Sequence, residues 1–107
     1  MDVQLRALSD PIRREILRGL SRGEAQAGDI AAAFAVSRPA ISHHLRVLSE
    51  AGLITMRRQA QSRLYAIDAE AVRALRGRFD RFWDDALPRL KAVIEADRKA
   101  KREGSPR

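Results

Sequence analysis

Apolar positions recur along this chain with two different periods, and the switches between them mark its elements. Val3, Leu5 and Leu8 predict a short opening helix over residues 2 to 8. In SDPIRREILRGLS, Ile12, Ile16, Leu17 and Leu20 line one helical face; Asp10 is placed to cap it, Pro11 suits its first position and Gly23 ends it. AGDIAAAFAVS supplies a third helix of about two turns, with Ile30 and Phe34 inward. In SRPAISHHLRVLSEAGLI, Ser37 caps a fourth helix, Pro39 is tolerated in its first turn and Gly52 closes it. At about 100° per residue, Ile41, Leu45 and Leu48 share one side of that helix. Pro39, Ser42, His43, Arg46 and Glu50 occupy the opposite arc, with Ala40 and Val47 between.

The period then shortens. LITMRR and SRLYAID, separated by QAQ, read as a two-stranded hairpin that must pack on the helices to be stable. From Ala69 to Lys99 the helical period returns through Val72, Leu75, Phe79, Phe82, Ala86, Leu90 and Val93, widened by Trp83, Leu87 and Ile94. A helix of that span is about 45 Å long, more than a small domain can cover, so its apolar stripe predicts a partner chain. Pro88 removes the bond to the Asp84 carbonyl and should kink the helix or split it. The predicted fold is mainly α with a small β-hairpin wing, in the order α-α-α-α-β-β-α: a winged helix-turn-helix with Ala35, Val36 and Ser37 in the turn. Residues 1 to 98 form one domain in this reading, and residues 99 to 107 a charged, disordered tail.

Charge narrows the function. Twenty-one Lys and Arg against 14 Asp and Glu give a net charge of +7, which points to a polyanion partner, nucleic acid before an acidic membrane surface. With no cysteine, disulfides, thiolate metal sites and thiol redox switches are excluded. The first residues lack the basic and apolar regions of a signal peptide, and no apolar run is long enough to span a membrane, so a cytoplasmic location is expected.

His43 and His44 are the only histidines, and they are adjacent. Neighbours on a helix diverge by about 100°, so the two cannot share an ion as residues four apart can. No phosphate loop, nucleophile or paired carboxylates in a plausible pocket appear, so no enzymatic activity, catalytic residue or cofactor is expected. Double-stranded DNA accounts for more of the sequence. Ser42 and His43 are placed to donate to base edges or phosphates, Arg46 to pair with phosphate or guanine, Arg38 to probe the groove floor and Pro39 to touch a thymine methyl. Ser37 stands at the start of that helix, and Arg57, Arg58, Gln61 and Arg63 cluster toward the hairpin tip, where they would straddle the backbone or enter the minor groove. The angle of His44 fits a partly buried or phosphate-facing position as well as it fits a base contact. Tyr65 is expected at the base of the wing.

LSDPIRREILRGL, GDIAAAF, SRPAISHHLRVLSEAGLI and a basic wing ending in LYAID, in this order and spacing, resemble the ArsR/SmtB family of bacterial winged-helix repressors. The match covers about residues 5 to 68, and FDRFWDDALPRLKAVIE further resembles the metal-independent autorepressor members. The resemblance implies a homodimer through the first and last helices, with Leu5, Leu8, Phe79, Phe82, Trp83, Leu87, Leu90 and Ile94 at the interface. It also implies that the fourth helix enters the major groove at a palindromic operator and that the chain represses transcription. Zinc sites of the family draw on third-helix cysteines or on Asp and His pairs in the last helix; Asp29 alone stands in the one place here, and no histidine in the other, so no metal site is expected. The capping pair of the family's third helix is replaced by Gln26 and Asp29, and its wing glycine by Ala60. Positive φ at Ala60 would cost about 1 kcal/mol, which predicts a differently shaped tip. Two alternatives remain on the sequence alone: a derepressor responding to a ligand or metal at an unrecognised site, including a pocket built from the last-helix aromatics, and a winged helix used for protein contacts. The sequence assigns no small-molecule effector.

Overall fold

A computed structural model describes residues 1–104, which fall into two compact units, Met1–Leu75 and the segment from Arg76 onward. In the first unit, α1 (Asp2–Ala7) is followed by α2 (Pro11–Leu20), β1 (Ala25–Gln26), α3 (Ala27–Ala32), α4 (Arg38–Glu50), β2 (Ile54–Gln59) and β3 (Ser62–Ile67). The helix α5 (Ala69–Ala86) begins in the first unit and ends in the second, which also holds α6 (Pro88–Gly104). Among the described residues, no helix is long and apolar enough to cross a membrane.

Local chemistry sets the helix ends. Asp10 caps α2 by accepting from the Ile12 and Arg13 amides at 2.8 and 3.2 Å. Partial burial acts to raise the Asp10 carboxyl, but those amides, together with the nearby His44 and Arg13 side chains, outweigh it and hold the group below its usual range. Ser37 accepts from the Ala40 amide and starts α4. At the far end Gly52 takes φ 75°, which a Cβ would disfavour, so that the Gly52 and Leu53 amides reach back to Ser49 and Leu48. Leu48 and Leu53, the two residues joined by the second of these backbone bonds, are both fully buried.

The core confirms the expected division of α4. Ile41, Leu45 and Leu48 are buried beside Ala7, Ile16, Leu20, Ile30, Leu53, Ile54, Tyr65 and Leu75, while Ser42, His43 and Arg46 stay exposed. Tyr65 lies at the base of the wing as expected.

Five expectations need correction. The hairpin belongs to a three-stranded sheet of order β1-β3-β2, because Ala25 and Gln26 pair with Tyr65 and Leu64; two residues carry too little periodicity to read as a strand. The second helix stops at Leu20, with Ser21 as its cap, and Gly23 (φ 143°) instead turns the chain into β1. The third helix stops at Ala32, so the turn is longer than Ala35–Ser37; Phe34 and Val36 hold it by packing on the core. The wing closes in two residues, with Gln59 opposite Ser62, and Ala60 does adopt φ 57°: a tight reversal is kept at the cost of strain. Finally, the expected tail is helical from Lys99 to Gly104, supported by good helix formers and a Lys101–Asp97 pair one turn apart. Its last residues, 105 to 107, lie outside the described segment.

Pro88 splits the last helix, of the two outcomes expected from it. In the second unit, Lys91 Nζ donates to Asp84 Oδ1 at 2.8 Å across the break, and this pairing holds the ammonium above its usual range.

Replacing Ala60 by Gly should raise stability by about 0.5–1 kcal/mol, since relief of the positive φ outweighs the added unfolded-state freedom. Denaturant unfolding that showed no gain would mean that the tip is not strained.

Candidate nucleic-acid interface

The candidate surface is built from the outer arc of α4, the start of α3 and one face of the wing. The exposed α4 residues are Arg38, Pro39, Ser42, His43 and Arg46. Ser37 is also exposed, with its oxygen engaged in the cap. The Arg38 guanidinium lies over Gly28, where an added Cβ would sit 3.4 Å from Nη2; the missing side chain leaves it room.

Strand alternation sorts the wing arginines. Residues directly opposite in an antiparallel pair share a face, and successive residues alternate. Arg58 opposes Arg63, so both project from the face that carries buried Ile54 and Tyr65. Arg57 projects from the other face. There its Nη2 and Nε donate to the two Glu24 carboxylate oxygens at 2.6 and 3.2 Å, a bidentate pair. The three wing arginines thus differ in setting, because a neighbouring carboxylate already pairs with Arg57 while Arg58 and Arg63 share the opposite face. The hydrogen bonds and charge of that pair hold the Glu24 carboxyl below its usual range and raise the Arg57 guanidinium.

Between α4 and the inner wing face lies a cleft of about 450 Å³, lined in part by Ser42, Arg46, Ser49, Met56 and Arg63. It offers the guanidinium groups of Arg46 and Arg63 and the hydroxyls of Ser42 and Ser49, with Tyr65 at its base, the donor set of a phosphate-binding groove. Like charges directly opposite destabilise a strand pair, so an anion set near Arg58 and Arg63 would relieve their repulsion. Gln61 and Arg63 also line a shallower groove with Gln26, Ala27 and Gly28, which brings the wing tip close to the start of α3.

The two histidines diverge as their adjacency requires, with ring centroids 5.8 Å apart and planes tilted by 55°. Arg46 Nη2 lies 3.1 Å from His43 Nδ1 on the exposed arc. His44 turns toward α2, where Arg13 Nη1 lies 3.2 Å from its Nδ1. Its partly buried position answers the choice its angle left open. Arg13 was missed from sequence, since one arginine among four in RREILRGLSR has nothing to distinguish it. Among the described residues, no group of three or more His, Asp or Glu side chains is gathered as a metal site.

Of the apolar residues expected at an interface between chains, Leu5, Phe79, Phe82, Leu90 and Ile94 are exposed, each by 40–46%. Trp83 and Leu87 are half-buried, while Leu8 instead packs against the first unit's core.

Residues 10–56 match the arsR family of bacterial regulatory proteins. The chain is 40% identical over 91 residues to the HTH-type transcriptional regulator Rv2034 of Mycobacterium tuberculosis, covering 85% of each chain. It is 44% identical over 68 residues to the transcriptional repressor SdpR of Bacillus subtilis, covering 64% of this chain and 76% of that one. Among solved structures, a possible transcriptional regulator for arsenical resistance is 46% identical, with a TM-score of 0.71 over 84% of this chain and 94% of the other. An ArsR-like transcriptional regulator from Rhodococcus sp. RHA1 is 28% identical, with a TM-score of 0.74 over 89% of this chain and 90% of that one.

The Glu24 carboxyl should titrate below the usual carboxylate range and return to it in Arg57→Gln, which NMR-detected titration would read. A group depressed on folding stabilises above its unfolded pKa and loses that contribution as pH falls through the folded value. The pair should therefore weaken only in the acid range, and an unchanged Glu24 titration in the variant would contradict the bidentate contact.

Proposed function

Because the chain belongs to the ArsR family and is a DNA-binding transcriptional regulator rather than an enzyme, we propose that it works as a homodimeric repressor reading a palindromic operator. The observation that carries this reading is the two-faced α4, with Ile41, Leu45 and Leu48 buried and Arg38, Ser42, His43 and Arg46 bare. A helix held by one side and basic on the other fits the major groove, about 12 Å wide. Arg38, Pro39, Ser42, His43 and Arg46 face base edges and nearby phosphates. Arg58, Gln61 and Arg63 follow the backbone from the wing, and Arg57 joins them only when released by Glu24. Ser37 contributes chiefly by starting the helix.

The homodimer is supported by the exposed Phe79, Phe82, Leu90, Val93 and Ile94 in the second unit and by Val3 and Leu5 on α1. These are large side chains that a monomer gains nothing by showing to water. A two-fold dimer would set its recognition helices one DNA turn apart, about 34 Å, and so select a palindrome. We take repression to be metal-independent. In support, thiolate ligands are absent and both histidines have their Nδ1 atoms engaged by arginines.

Purified protein should select a palindromic duplex from a random-sequence library and bind it with an affinity that falls steeply with salt. Arg38→Ala and Arg46→Ala should each weaken that binding by about 1–3 kcal/mol. Full activity of the double variant in cells would instead favour a protein-contact role. In sedimentation, Phe82→Asp should shift the protein toward monomer; an unchanged mass would refute the interface.

A further inference from the structure

Arg13 makes three directional contacts from one guanidinium. Nε donates to the Ala7 carbonyl at 2.6 Å and Nη2 to the Arg6 carbonyl at 3.2 Å, which satisfies the end of α1. Nη1 reaches across 31 residues of sequence to His44 Nδ1 on α4, at 3.2 Å. An arginine has only donors. The His44 Nδ1 must therefore be the bare nitrogen, with the ring's proton on Nε2. A second strap lies at the C-terminal cap of α4, where Gln4 Nε2 donates to the Ala51 carbonyl at 3.3 Å. The helices α1 and α2 thus grip the recognition helix at its middle and at its C-terminal end.

These polar bonds do what the core contacts do not. Burial of Ile41, Leu45 and Leu48 fixes how deeply α4 sits, but hydrophobic contact is non-directional and resists rotation about the helix axis only weakly. A modest rotation would carry Ser42, His43 and Arg46 away from a base edge, because hydrogen bonds weaken steeply with misalignment. We infer that Arg13 is a positioning residue for DNA reading, which acts through His44 by fixing the rotation of the recognition helix. His44 serves as the acceptor that α4 offers to this latch, and it touches no base.

The inference rests on the DNA-binding reading above, and the test separates their failures. Operator preference is the ratio of affinity for a duplex selected by the wild-type protein to affinity for a scrambled duplex of the same length. His44→Leu removes the acceptor, whereas His44→Asn keeps an acceptor oxygen near the position of Nδ1. The expected result is a loss of about tenfold in that ratio for His44→Leu, the size of one charge-assisted hydrogen bond, with His44→Asn within about threefold of wild type. Arg13→Met should match His44→Leu. If Arg13→Met unfolds, ¹⁵N NMR of the wild type still decides through the tautomer: the neutral His44 ring must carry its proton on Nε2. A neutral ring protonated on Nδ1 would overturn the latch. So would a wild-type ratio in His44→Leu, or equal losses in the Leu and Asn variants, which would assign the ring itself to DNA. Failure of the wild-type protein to select any duplex would instead refute the DNA-binding reading.

Discussion

In the reading proposed above, one helix has to serve both the protein's interior and its target, and the burial of Ile41, Leu45 and Leu48 along α4 makes that possible. Each of those side chains removes apolar surface from water, worth roughly 1.5–3 kcal/mol when fully buried. The four-residue spacing that places Ile41 and Leu45 inside puts Ser42 and Arg46, at the same spacing, outside. The caps follow from this demand. Ser37 and Gly52 bound the helix so that the buried stripe and the bare arc share one length, and the Leu53 amide bonds back to the Leu48 carbonyl where the chain turns into the sheet.

The sheet applies the same logic at a period of two. Its inner face spends Ile54 and Tyr65 on the core and then, further toward the tip, presents Arg58 and Arg63 on that same side, beside the arc of α4. Its outer face carries Arg57, which a carboxylate has claimed. Three arginines within seven residues therefore serve two different ends. Short β1 matters more than its two residues imply: by pairing with β3 it brings Glu24 alongside the wing and roots an otherwise marginal hairpin in the helical body.

Much of this was legible in the sequence because strong periodicity reports burial. The stripe of α4, the order of the main elements and the disruption at Pro88 all follow from side-chain spacing and backbone chemistry. What escaped was set by contacts between distant segments. No pattern in Glu24-Ala25-Gln26 announces a strand, since pairing with β3 creates it. The sharing of Glu24 and Arg57 depends on that pairing, and the Arg13–His44 bond depends on how α2 crosses α4. Ala60 is a different case. Local sterics argued correctly for strain there, but the cost is small against the sheet's demand for a two-residue reversal.

The Glu24–Arg57 pair also has a consequence for how such a regulator diverges. A substitution at position 24 would change the free positive charge of the wing by about one unit while leaving untouched the exposed arc of α4 that we propose reads bases. Under that proposal, selection could adjust how tightly the protein holds DNA in general without altering which sequence it prefers. Strength and choice of target would then be heritable through separate residues.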